Sequence, residues 1–216
     1  INHINNLVPE VVIKDINRKW DAPGKPRLWE WENWPLEFDN NIKRGITLIG
    51  PGMDSNIFKD FILSEGVGDE DSFDKNGKYN YFVIDAGALT GLADAYIHID
   101  EYCEYKSKNI LDLLPQFSIL TPHYGEFENI FKTDIYKMSL DDSAYCYLND
   151  YDQYEFCRIK IVQKILNNKI IILKSFNTFI ITKDMIYIMD KGPSTLATAG
   201  TGDVLSGILV SLLSQG

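Results

Sequence analysis

Four short apolar runs, each stopped by glycine, proline or a small polar residue, constrain the fold of this chain more than any other feature. They are ITLIGPG (46–52), YFVIDAG (81–87), FSILTPH (117–123) and KIIILKS (169–175). Runs this short that stay apolar, rather than alternating with polar residues, suit strands buried on both faces. Between them lie helical spacings: Ile57, Phe58 and Phe61 within 54–64, and Phe156, Ile159, Val162, Ile165 and Leu166 within 154–166. Strand alternating with helix predicts right-handed crossovers and a layered α/β fold with a mostly parallel central sheet flanked by helices. The stretch TFIITKDMIYIM (178–189) contains two alternating runs that meet at Lys183 and Asp184, which predicts an antiparallel hairpin on the sheet edge. In such sheets ligands bind beyond the carboxyl ends of the strands, which is where GPG, DAG, TPH and KS fall.

A length of 216 residues with 45% apolar content is enough for one domain with a substantial core, so 1–216 reads as a single domain. A formal charge of −10 argues against nucleic acid or an anionic membrane as partner, since those surfaces need concentrated Lys and Arg. Cys103, Cys146 and Cys157 form no CxxC pair, which favours a reducing compartment over a disulfide framework or a thiolate zinc site. No stretch approaches the roughly 20 apolar residues of a membrane span, and the first residues lack a signal pattern. The expectation is a soluble, cytoplasmic protein; a removed mitochondrial targeting segment would leave no trace. Two stretches stand outside the strand–helix alternation. WDAPGKPRLWEWENWPLEFDNN (20–41) reads either as an edge strand or loop packed by its own aromatics, or as a subunit interface; the acidic, turn-rich 64–80 reads as a surface loop or insertion.

Near the carboxyl end, ATAGTGDVLSG (197–207) opens an apolar run from Val204 to Leu213. A helix amino terminus leaves N–H groups unpaired and carries partial positive charge, and Gly200, Thr201 and Gly202 would let an anion approach it. Asp203 has two readings. An acid in a first helical turn complements the helix dipole with no chemistry implied. Beside a phosphate, however, a carboxylate makes sense mainly as a base that takes a proton from an attacking hydroxyl.

TLATAGTGDVLSGILVSLLSQG closely resembles the signature of ADP- or ATP-dependent NAD(P)H-hydrate dehydratases, members of the ribokinase-like superfamily. By this resemblance the turn is an anion hole holding Thr201 and Gly202 against nucleotide phosphate, and Asp203 is catalytic and touches substrate. ILTPHYGEFENIF (119–131) resembles the family's LTPHxGE segment, which implies that His123 lies against the nicotinamide part of the substrate; Glu126 is most simply an acid favouring the dipole of the next helix. IILKSFNTFIIT (171–182) resembles LKGxxT, which implies that Lys174 and the loop Ser175, Phe176, Asn177 and Thr178 contact the nucleotide. Here Ser175 and Phe176 replace residues that are usually small, and Phe176 either stacks on an adenine or narrows the pocket. LIGPGMDSN (48–56) resembles the IGPGLG turn, with Gly50 and Gly52 permitting close approach of a ligand, Gly52 to the substrate, and Asp54 or Ser55 capping the next helix. VIDAGAL (83–89) resembles LDADAL with Gly87 in place of the second acid, leaving Asp85 either to orient a sugar or hydrated metal ion or to close a turn.

The resemblance runs from about Gly50 to Gly216, and the family's preceding strand–helix unit and following helices look absent or reduced, so the domain reads as shortened at both ends. It implies dehydration of hydrated NADH or NADPH, coupled to cleavage of ADP or ATP, with Mg2+ accompanying the nucleotide and no residue assigned as its ligand. The partners implied are NAD(P)H hydrate and adenine nucleotide, with a homo-oligomer expected. A ribokinase-like small-molecule kinase uses the same acid and anion hole, and a non-enzymatic nucleotide-binding protein is the third reading.

Overall fold

The computed structural model describes residues 45–64, 80–102, 109–141, 151–190, 192 and 198–215. The tryptophan-rich 20–41, nearly all of the acidic 64–80, and Cys103 and Cys146 lie outside them. Among the described residues six strands form one sheet: β1 (Gly45–Ile49), β2 (Asn80–Ile84), β3 (Ser118–Leu120), β4 (Ile170–Lys174), β5 (Thr178–Ile181) and β6 (Ile186–Met189). They lie side by side in chain order. The first four are parallel, and β5 and β6 run antiparallel as the edge hairpin expected from the alternation. Its turn closes where Thr182 N–H donates to the Met185 carbonyl at 2.9 Å.

Five α-helices among the described residues flank the sheet: α1 (Ser55–Ser64), α2 (Gly87–Tyr102), α3 (Tyr124–Asp141), α4 (Tyr151–Ile165) and α5 (Thr201–Ser214), with a 3-10 turn at Ile110–Leu113. The strand residues divide between two apolar clusters by the two-residue period of the pleat. Phe82 and Ile84 join Leu120, Ile171 and Leu173 under α1 to α4, while Ile46 and Val83 pack with Val210 of α5 on the opposite face. This is why the strands carry apolar side chains on both faces. The larger cluster holds fully buried Leu89, Leu92, Phe127 and Phe131, and truncating one such leucine to alanine costs about 2–5 kcal/mol. Of the cysteines, Cys157 is half-buried and forms no disulfide.

Local chemistry sets the helix starts. Asp54, not Ser55, caps α1 by accepting from Asn56 N–H at 2.9 Å. At α3, Glu126 does more than complement a dipole. Its Oε2 accepts from His123 N–H at 2.8 Å while Glu126 N–H donates to His123 Nδ1 at 3.2 Å, a reciprocal cap with histidine in the usual serine place. A helix absent from the sequence expectations is α2, which supplies much of the core through Ala88, Leu89, Leu92, Ala93, Ala95 and Tyr96. One buried carboxylate fixes it to its neighbours: Asp134 of α3 accepts from Tyr96 hydroxyl at 2.8 Å and from Ile110 N–H at 3.1 Å.

Candidate functional site

The carboxyl ends of β1 to β4 converge on the amino end of α5. Gly50 follows β1 at φ +119°, and a Cβ placed there would lie 1.6 Å from the Asp85 carbonyl, so the tight turn after β2 can nestle against it only while this position is glycine. The same packing explains the departure at Gly87. A Cβ there would sit 2.0 Å from the Met53 carbonyl, leaving no room for the acid that the LDADAL pattern carries. Ala86 between them takes positive φ, +47°.

Asp85, only 2% exposed, is the hub of the arrangement. Lys174 Nζ donates to its Oδ1 at 3.0 Å, and Ser206 Oγ of α5 donates to its Oδ2 at 2.6 Å. Burial pulls this carboxyl upward, but the Ser206 hydroxyl, the Lys174 charge and the Thr121 hydroxyl together outweigh it and hold the group below the ordinary carboxylate value, so it is ionised. Each of its two oxygens accepts from a protein donor, so Asp85 ties β2 to β4 and to α5. The reason is electrostatic: an ammonium and a carboxylate that share a poorly solvated space pair with each other.

Lys174 stands at the mouth of this hub, about a quarter exposed. Its ammonium lies 3.3 Å from the point where a Cβ on Gly202 would be, so a side chain at 202 would press the lysine back by a few tenths of an ångström. Lys174 N–H also donates to the Pro122 carbonyl at 2.8 Å, and its backbone bridges to His123, which sets β4 and the TPH segment side by side. The His123 ring is 62% exposed. Its Nδ1 accepts from Glu126 N–H, so in the neutral ring the proton is on Nε2. The cap thus orients the imidazole as well as starting α3.

The other residues singled out by sequence are distributed around this centre. Gly200 has φ +88° and leads into α5, Thr201 Oγ1 donates to the Thr198 carbonyl at 2.8 Å, and Asp203 sits exposed in the first turn with no hydrogen bond or ion pair to another described residue. Gly52 is exposed at φ +69°. After β4, the turn Ser175–Asn177 is held by Ser175 donating to Glu155 Oε1 at 3.0 Å, and Thr178 returns to pair with Lys174 in the ladder. The Phe176 side chain is fully exposed and narrows nothing. Two residues of the hub were missed by sequence reasoning. Ser206 is one of two serines inside the apolar run 204–213, and no local pattern sets it apart from Ser211; Thr121 stood in the quoted FSILTPH segment, where Pro122 and His123 took the attention.

Among the described residues no group of three or more His, Cys, Asp or Glu side chains could hold a metal ion. No described helix is long and apolar enough to cross a membrane.

A mostly parallel sheet flanked by helices, with lysine, carboxylate and glycine turn meeting at its carboxyl edge, defines a layered α/β protein. The chain belongs to the NAD(P)H-hydrate dehydratase family, whose family model matches residues 1–216. It is 33% identical over 111 residues to the bifunctional NAD(P)H-hydrate repair enzyme Nnr of Helicobacter pylori, covering 50% of this chain and 22% of that protein. It is 35% identical over 101 residues to the ADP-dependent (S)-NAD(P)H-hydrate dehydratase of Neisseria meningitidis, covering 45% of this chain and 29% of that protein. The matches therefore span less than a third of these curated relatives. Among solved structures, YxkO of Bacillus subtilis is similar at TM-score 0.43 and 20% identity, over 78% of this chain and 48% of that one. A ribokinase-like superfamily protein of Enterococcus faecalis is similar at TM-score 0.45 and 21% identity, over 79% and 47%.

Proposed function

We propose that this chain removes water from the hydrated form of NADH or NADPH and couples the step to cleavage of ADP or ATP. The observation that carries the reading is the meeting of Lys174 with the Gly202 turn at the carboxyl edge of the sheet, where a positive charge stands beside the amino end of α5. The family to which the chain belongs and the names of its curated relatives support it.

In this reading Asp203 takes the proton of the substrate hydroxyl, and that oxygen takes the terminal phosphoryl group from the nucleotide. Phosphate then leaves with the carbon–oxygen bond while the neighbouring ring carbon loses a proton and the double bond reforms. The amides of Thr201 and Gly202 stabilise the charge on the transferring group, each worth about 3 kcal/mol when well placed, and Lys174 neutralises a second part of it. His123 stands where its Nε2 meets the nicotinamide portion, and Gly52 gives that portion room. The turn Ser175–Thr178 borders the nucleotide, with Phe176 as a stacking surface for adenine. Asp203 has the exposure a base needs before a ligand covers it. Self-association belongs to the same proposal, and sedimentation measures it directly.

The test is to incubate the chain with the hydrate and either ADP or ATP and follow the return of reduced-nicotinamide absorbance. Asp203→Asn should lower turnover about a thousandfold while leaving nucleotide affinity within about threefold. Substantial activity in that variant removes the base assignment. A stable phosphorylated product from another small molecule, with no dehydration, would make the chain a kinase instead.

A further inference from the structure

We infer that Ser206 is a positioning residue, which acts through Asp85 to hold the Lys174 ammonium against the Gly202 turn. The inference rests on the proposed dehydratase reading for its consequence in turnover, but its geometry stands apart from it. Ser206 is wholly buried one helical turn beyond Gly202, and it lies 3.0 Å from the Gly202 carbonyl and 2.6 Å from Asp85 Oδ2. A hydroxyl has one proton, and the nearer, charged oxygen takes it. With Oδ2 held by Ser206, the carboxylate can turn only so as to present Oδ1 to Lys174.

The chain of contacts therefore runs from helix to carboxylate to ammonium and back to the turn that begins the same helix. Each link is short and poorly solvated, which makes the orientation of one group depend on the next. Without Ser206, Asp85 would keep Lys174 and Thr121 but could rotate, and the ammonium would no longer be fixed at the Gly202 turn. Asp85 is the one ion-pair partner of Lys174 among the described residues, so the placement of the ammonium depends on how that carboxylate is oriented. Ser206 touches no reacting atom; its part is to aim the one that does.

Two variants of the full chain test this. Ser206→Ala removes the donor and leaves a small space, whereas Ser206→Cys fills the space with a much weaker donor. Limited acylation read by mass spectrometry, with exposed Lys183 as the internal reference, should show Lys174 modified at least about threefold faster in both variants than in the parent. In turnover, kcat/KM for the nucleotide should fall about tenfold in both. The acid limb of the pH profile should move to higher pH, because Asp85 has lost a donor that kept it ionised.

Unchanged Lys174 labelling in Ser206→Ala overturns the inference. So does an effect seen in the alanine variant and absent in the cysteine variant, since that pattern marks packing alone. If the parent chain does not turn over the hydrate, the functional proposal falls while the labelling still decides the role of Ser206.

Discussion

Replacing Gly50 and Gly52 separately by alanine distinguishes two costs that glycine turns usually combine. Both positions have positive φ, +119° and +69°, but a Cβ at 52 meets nothing within 4 Å, whereas a Cβ at 50 would lie 1.6 Å from the main-chain carbonyl of Asp85. At 52 the cost is the left-handed backbone alone, about 1 kcal/mol. At 50 the carbonyl would have to retreat by roughly 1.4 Å to reach the least separation a real Cβ accepts, in a packed region with little slack. Backbone strain and overpacking together put Gly50→Ala at about 4 kcal/mol, a large share of the stability of an ordinary domain. The strain also falls on the hydrogen bond from Asp85 N–H to the Ile49 carbonyl, 3.0 Å long, and so on the hub itself. Guanidinium unfolding of parent and variants, with midpoints and slopes compared, measures the difference directly. Equal destabilisation of the two variants, to within about 0.5 kcal/mol, would refute the close-approach argument.

His123→Ala should lose about 1 kcal/mol with its cap, while His123→Asn, which can still accept from Glu126 N–H, should unfold near the parent midpoint. Both should lose dehydratase turnover because neither has the ring, and full activity in the asparagine variant would reduce His123 to a cap. Burial raises the carboxyl of Asp134 above its ordinary value despite help from Tyr96 hydroxyl, Ile110 N–H and the Lys137 charge, with Asp112 adding to the rise. A carboxyl raised on folding contributes stability that is complete below about pH 4 and is lost as pH climbs through its folded value. Asp134→Asn should therefore lose less stability than the parent between about pH 4 and pH 7, and parallel curves from denaturant titrations across that range would contradict it. Asp85 carries the opposite sign, its contribution disappearing as pH falls, so Asp85→Asn should unfold with less dependence on acid in the same titrations.

Strands were the legible part of this sequence because a layered sheet demands what β-branched runs supply, and the stops at glycine and proline sit within a few residues of the observed ends. The hairpin was legible for the same reason, its alternation matching strands with two unlike faces. Helix α2 was not, although its buried positions Ala88, Leu89, Leu92, Ala93, Ala95 and Tyr96 do recur at helical spacing; it is buried against both α1 and α3, and three of the six are small alanines, which weaken the apolar signal. Within the site, Lys174 and Asp85 could be found from their places at strand ends. That they pair with each other could not, because it depends on a register between β2 and β4 that no local pattern encodes. Ser206 was hidden by its apolar neighbours, and its meaning came only from what lay 121 residues away.

That separation has a consequence for how the protein is made. Because the strands lie in chain order, each newly emerging strand can pair with the one before it, and the sheet can grow as the ribosome delivers it. Helix α5 is different: it must fold back across β1 and β2, which were synthesised long before. Lysine and aspartate can meet as soon as β4 arrives, but nothing yet stands above them to receive an anion. A nascent chain halted before α5 would thus possess the sheet and the lysine–aspartate pair without the glycine turn that faces them.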